Sequence, residues 1–131
     1  MIGLDTNVLV RYIMQDDARQ SPLATRLVES LSAQSPGFVS LVSVVELAWV
    51  LGSAYELERD QLVEALEGLL RTKEIVVDRA ETVWKALRIF QTANADLADC
   101  LIERSAASAG CDRTMTFDRS AAKGCGMTLI S

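Results

Sequence analysis

Five short apolar runs alternate with segments of helical period, and no other feature constrains the fold as tightly. The runs are Met1–Leu4, Phe38–Val39, Glu74–Val77, Cys111–Phe117 and Met127–Ile130. Between them, Asp5-Thr6-Asn7 offers N-cap side chains to a helix through about Met14, and Asp16-Asp17 opens a helix through about Ser32. In this second helix Leu23, Leu27, Val28 and Leu31 share a face, and Pro22 is tolerated in the first turns. Ser35-Pro36-Gly37 reads as a turn, Leu41–Ala54 as a buried helix apolar on nearly every face, and Glu58–Arg71 as an amphipathic helix. Helices over Arg79–Thr92 and Asp96–Ala109 and a helical turn at Ser120–Lys123 complete the pattern. Short strands separated by helices predict a parallel sheet covered on both faces. The expected fold class is α/β: a three-layer α/β/α sandwich on a central, mostly parallel sheet of four to five strands, in one domain over residues 1–131.

Composition supports a core of that size. Of the 131 residues, 50% are hydrophobic and 24% charged, which fits one globular domain and excludes a disordered chain. The stretch from Gly37 to Tyr55 approaches the roughly 20 residues that cross a bilayer. Glu46 at its middle would cost about 2.5–3.5 kcal/mol on insertion, so a strand followed by a buried helix is the better reading. The opening MIGLD places a carboxylate before a secretory signal could form, and the fold is expected to begin close to Met1. Three cysteines, Cys100, Cys111 and Cys125, make no paired framework. An odd count without an export signal points to core or near-surface thiols in a reducing cytoplasm.

Acidic residues occupy places where structure alone has little use for them. Asp5 and Asp118 are expected at the carboxyl ends of strands, where open α/β sheets bind ligands. Glu46 lies within the apolar helix after the second strand. Asp96 and Asp99, three apart, share the first turn of another helix, with Glu103 extending that stripe. Each has a plain structural explanation. Asp5, Asp96 and Asp118 can be N-caps, Asp99 can favour the helix dipole, and Glu46 can pair with Arg11 or Lys123. The set is more specific than its members. Two carboxylates about 4.5 Å apart repel by roughly 3–4 kcal/mol at an effective dielectric near 20, so several converging carboxylates need a cation. Hard oxygen ligands favour Mg²⁺ or Mn²⁺, and a chain without histidine is poorly suited to zinc.

The missing histidine also closes the Ser-His-Asp, Cys-His and paired-histidine routes. No phosphate-binding G-x-x-x-x-G-K-[ST] loop is present, and Gly124-Cys125-Gly126 lacks the rest of a dinucleotide fingerprint. Metal-assisted hydrolysis of a phosphate ester is the reaction class left. Four segments, I-G-L-D-T-N-V-L-V-R-Y, S-V-V-E-L-A-W-V-L, A-D-L-A-D-C-L-I and T-M-T-F-D-R-S-A-A-K, resemble in order the motifs of PIN domains. They are most similar to those of the VapC-type toxin ribonucleases of type II toxin-antitoxin systems.

That resemblance implies an endoribonuclease using Mg²⁺ or Mn²⁺ and leaving 5′-phosphate and 3′-hydroxyl ends. It assigns Asp5, Glu46, Asp99 and Asp118 as the catalytic acids and metal ligands, with Asp96 as a further ligand. Cys100 replaces the alanine that usually follows the third acid. Thr116 matches a supporting threonine, and Asn7 is placed to orient a carboxylate or a water. Arg11, Arg113, Arg119 and Lys123 flank the acidic motifs and are candidates to contact RNA, although a net charge of −5 is unusual for such a partner and each could equally be solvated surface. The resemblance further implies a homodimer held inactive by a cognate antitoxin, in the cytoplasm and away from membranes. Two rivals share part of the pattern: a metal-dependent phosphatase or receiver domain, which would not explain Glu46, and a non-catalytic PIN-like scaffold, which would not need all four acids.

Overall fold

The β–α alternation persists through the whole computed structural model, which describes residues 1–131, but the strands divide between two compact units, residues 1–78 and 79–131.

The first unit runs β1 (Ile2–Gly3), α1 (Thr6–Met14), α2 (Gln20–Glu29), β2 (Gly37–Val39), α3 (Leu41–Ser53), α4 (Arg59–Arg71) and β3 (Ile75–Val77). Its three strands pair in parallel with β2 in the middle, Ile2 opposite Gly37 and Gly37 opposite Ile75. A central strand must satisfy hydrogen bonds on both edges and bury its side chains, and Val39 is fully buried. Gly37 is closely packed: a Cβ there would lie 2.9 Å from the Cδ1 atoms of both Leu4 and Leu31, and the ends of these side chains would have to shift.

Helix boundaries follow local chemistry. Asp5 caps α1, and Gln15 ends it by adopting the left-handed conformation at φ 51°. Helix α2 starts three residues later than Asp17 because the Asp17 carboxylate accepts the Arg19 and Gln20 amides at 3.0 and 2.6 Å, forming a turn that leads into the helix. The helix also ends at Glu29 and not near Ser32. Its buried positions are Ser21, Ala24 and Val28; of the expected stripe, Val28 and Leu31 are buried, Leu27 is half-buried and Leu23 alone is exposed. In α4, where the sequence predicts an apolar stripe of Leu62, Val63, Leu66, Leu69 and Leu70, the first four are buried and Leu70 is half-buried.

Helix α3 departs from its expected burial. Ser40 caps it by accepting the Ser43 amide at 3.1 Å, and only Val44, Leu47, Ala48 and Leu51 are buried. Val42 is 79% exposed and Trp49 69%, and Glu46 lies on the exposed side with them. An apolar composition had been read as burial on every face; the structure buries one stripe. No helix of the chain is long and apolar enough to cross a membrane.

The second unit contains α5 (Ala80–Thr92), α6 (Leu97–Ser108), β4 (Met115–Thr116), α7 (Arg119–Cys125) and β5 (Thr128–Leu129). Helix α5 packs along α6. Val83, Ala86, Leu87 and Phe90 from α5, with Leu97, Cys100 and Leu101 from α6, are buried. Strands β4 and β5 pair in parallel, Met115 opposite Thr128 and Thr116 opposite Leu129, with α7 as the crossover. β4 is shorter than the expected Cys111–Phe117, because Gly110 turns the chain at φ 97° and residues 111–113 are exposed. The α/β class and the parallel sense agree with expectation; in place of one central sheet of four to five strands, the strands pair as a three-stranded and a two-stranded sheet, because long-range pairing is not written in local pattern.

Gly124 in α7 has no room for a side chain: a Cβ would sit 2.7 Å from the Ala95 Cβ, a methyl that cannot rotate away. Gly→Ala in a helix ordinarily gains about 1 kcal/mol. Here overpacking, which costs about 1–3 kcal/mol, opposes that gain and outweighs it. Gly124→Ala is therefore expected to lower the urea midpoint, and a variant as stable as the parent would show that the Ala95 segment yields freely.

Candidate functional site

Asp5, Asp96 and Asp118 all stand at helix N-termini, and all three do the same local work. Asp5 Oδ1 accepts the Thr6 amide at 2.8 Å, and Asp96 Oδ1 accepts the Ala98 amide at 2.8 Å. Asp118 Oδ1 accepts the Ser120 and Ala121 amides at 2.7 and 3.3 Å. The plain structural explanation is correct for each. It does not use them up, because every cap spends Oδ1 and leaves Oδ2 without a protein donor. Asp99 and Glu46 make no hydrogen bond or ion pair, so the expected pairing of Glu46 with Arg11 or Lys123 does not form; Arg11 pairs instead with Asp16.

Burial is not what makes these acids unusual. Asp5, Glu46, Asp96 and Asp118 are exposed and Asp99 is half-buried, which corrects the expectation that all of them sit in apolar surroundings. In the first unit, Asp5, Thr6, Asn7, Arg11, Glu46 and Tyr55 line one open cavity of about 560 Å³. Thr6 Oγ1 on its wall is buried without a hydrogen-bond partner. Leaving such a group unsatisfied costs about 1–3 kcal/mol. Asn7 is exposed.

In the second unit, Asp96, Asp99 and Asp118 are electrostatic neighbours. Burial, then the charges of Asp96 and Asp118, push the Asp99 carboxyl above the ordinary aspartate range. Thr116 supports the arrangement: its Oγ1 accepts the Asp118 amide at 3.0 Å and fixes the turn from which α7 starts. Arg113, Arg119 and Lys123 are exposed and have no acidic partner, unlike Arg11. Glu103, which continues the Asp96–Asp99 stripe, is occupied by Arg104 through Nε at 2.5 Å and Nη2 at 3.0 Å.

Three features were not foreseen. Tyr55 and Asp16 belong to the cavity wall or its support, and Thr6 contributes a buried hydroxyl; for Thr6 the available signal was its place at the first position after a capping aspartate. Cys100 and Cys125 touch at Sγ–Sγ 3.4 Å, both buried and unoxidised, while Cys111 is exposed. Burial first, then the bond to Cys125, pushes the Cys100 thiol up to about 12, which favours the protonated thiol.

The donor set is what a hard divalent cation requires: carboxylate oxygens with a free lone-pair face, no imidazole and no available thiolate. No three of the acidic or cysteine side chains stand at metal-ligating spacing. The fit is therefore one of donor chemistry, with Asp99 under like-charge pressure that a cation would relieve.

The chain is similar to known proteins over most of its length. A family model described as "PIN domain" matches residues 2–126, a span that includes both units. The chain is also similar to a protein of Aquifex aeolicus (strain VF5) named "VapC ribonuclease", at 22% identity over 116 residues, or 88% of this chain and 86% of that one.

The raised Asp99 carboxyl sets a sign for stability against pH. Its ionised form is disfavoured by folding, so the penalty is absent below the ordinary aspartate range and grows as pH rises through the raised folded value. Asp99→Asn is expected to raise the thermal midpoint at neutral pH, with the gain vanishing in acid. Midpoints recorded across that range check this, and a gain that persists in acid would assign the effect to packing.

Proposed function

Because the chain belongs to the PIN domain family, we propose that it is a Mg²⁺- or Mn²⁺-dependent endoribonuclease, the toxin of a type II toxin-antitoxin pair neutralised by a cognate antitoxin. The observation that carries this reading is the divided use of the capping carboxylates. Asp5, Asp96 and Asp118 each hold a helix N-terminus with one oxygen and keep the other, while Glu46 and Asp99 keep both. A family match that runs through both units supports treating these five acids as parts of one PIN domain.

Asp5, Glu46, Asp99 and Asp118 would hold the metal, with Asp96 as a further ligand. When bound, Mg²⁺ supplies Lewis acidity, lowering the pKa of water and offsetting charge on a phosphodiester. The remaining tasks belong to side chains. Thr116 fixes the Asp118 turn, and Asn7 offers an amide beside Asp5 for orienting a carboxylate or a water. Arg119 and Lys123, exposed and unpaired on α7, supply cations for the RNA backbone. With one divalent ion the formal charge of −5 becomes −3, and local cations then suffice where net charge is unfavourable.

The similarity to a protein named "VapC ribonuclease" supports RNA as the substrate and an antitoxin as partner. A homodimer acting in the cytoplasm is the form this reading implies.

Asp5→Asn and Asp99→Asn keep size and capping or helix position while removing charge. Each is expected to abolish RNA cleavage with the circular dichroism spectrum unchanged. EDTA should abolish wild-type cleavage and Mn²⁺ restore it. Metal-dependent RNase activity undiminished in both purified variants would defeat the assignment, and hydrolysis of a generic phosphate monoester without RNA cleavage would favour a phosphatase.

A further inference from the structure

A guanidinium has five N–H hydrogens, and Arg11 commits three of them to three different side chains. Its Nε donates to Gln20 Oε1 at 2.9 Å, and its Nη1 donates to Asp16 Oδ1 at 3.2 Å and to the Tyr55 hydroxyl oxygen at 3.1 Å. The Tyr55 hydroxyl spends its one hydrogen on Asp16 Oδ2 at 2.8 Å, so it accepts from Arg11 without conflict. Asp16 is held below the ordinary carboxylate range, first by this Tyr55 bond and also by Arg11. The plane of the guanidinium is thereby fixed from α1, α2, the loop between them and the residue beyond α3. Only Nη2, with two hydrogens, has no protein partner.

Arg11 and Tyr55 line the same cavity as Asp5, Asn7 and Glu46. We propose that Tyr55 and Asp16 are positioning residues that orient Arg11 so that its free Nη2 edge receives a phosphate oxygen of an RNA strand entering this cavity. The inference rests on the ribonuclease reading and adds to it a specific phosphate contact and the residues that set it. Asp16 pairs with Nη1 at 3.2 Å and leaves the Nη2 edge free, so the contact contributes direction as well as attraction. A free arginine would lose rotamer entropy on ordering, whereas this one is held by three side chains before the strand arrives.

The test uses the full chain with a labelled, mixed-sequence single-stranded RNA. Cleavage is followed with Mn²⁺, and binding in the Asp99→Asn background across a salt series. Tyr55→Phe is expected to raise KM three- to tenfold with kcat changed less than twofold. Arg11→Gln should flatten the slope of log affinity against log salt by about 0.7, the loss of one single-strand phosphate contact. Arg11→Lys should fail to restore KM, because an ammonium cannot keep the planar three-way anchorage. Parental KM in Tyr55→Phe together with a parental salt slope in Arg11→Gln overturns the proposal, including when the thermal midpoint falls, since a purely structural staple would behave so. Wild-type protein that binds RNA without cleaving it overturns the ribonuclease reading alone, because the binding series still decides the Arg11 contact. Wild-type protein that does neither overturns both.

Discussion

Carboxylate capping of helix N-termini is the interaction on which the rest depends. Three helices, α1, α6 and α7, begin on aspartates, and each cap satisfies amides that have no partner within the helix. The same bond fixes the carboxylate in space, one oxygen against the backbone and the other without a protein donor. In the proposed ribonuclease that second oxygen would serve a metal, so structure and function would not compete for these residues. Replacement by asparagine separates the two roles, since an amide oxygen still caps while the charge is gone.

Where a single charge cluster would fly apart, the caps restrain it. Within the second unit, burial first, and then the charges of Asp96 and Asp118, shift the Asp99 carboxyl upward, and no arginine or lysine pairs with these acids. Stored repulsion of this kind is a common mark of functional sites, where charge is arranged for a ligand and not for the empty fold. The buried, partnerless Thr6 hydroxyl in the first unit is a second cost of the same type. In contrast, the Arg11, Asp16 and Tyr55 network pairs each of its donors except Arg11 Nη2.

The parts of this picture that were legible in the chain are those governed by neighbours in sequence. Asp5, Asp96 and Asp118 were readable as caps because a short acceptor at the start of an apolar periodic segment has few other uses. α4 was readable from spacing. What failed was whatever depends on distant partners. α3 is apolar on most positions, yet nothing in its composition reveals that Val42 and Trp49 are exposed in this chain. α2 was placed early because Asp17 and the helix start are separated by a turn that the Asp17 side chain itself builds. The division of five strands between two sheets rests on long-range pairing, and Tyr55 meets Arg11 across 44 positions. Strand-end topology and like-charge repulsion already pointed the acids toward a shared cation, and the family resemblance added a role for each.

The brevity of β4 and β5 has a consequence for how the chain tolerates length changes. Two residue pairs are too few to hold a register by themselves, so the separation of the strands is metered by α7, seven residues closed at one end by Asp118 and at the other by Gly126 in the left-handed conformation. One residue inserted into that helix would turn everything after it by about 100°, and the ladder could not absorb the rotation. The exposed stretch 111–113 carries no such constraint. Variation in length among related chains should therefore collect before β4 and be absent between Asp118 and Gly126, making α7 the ruler of this part of the fold.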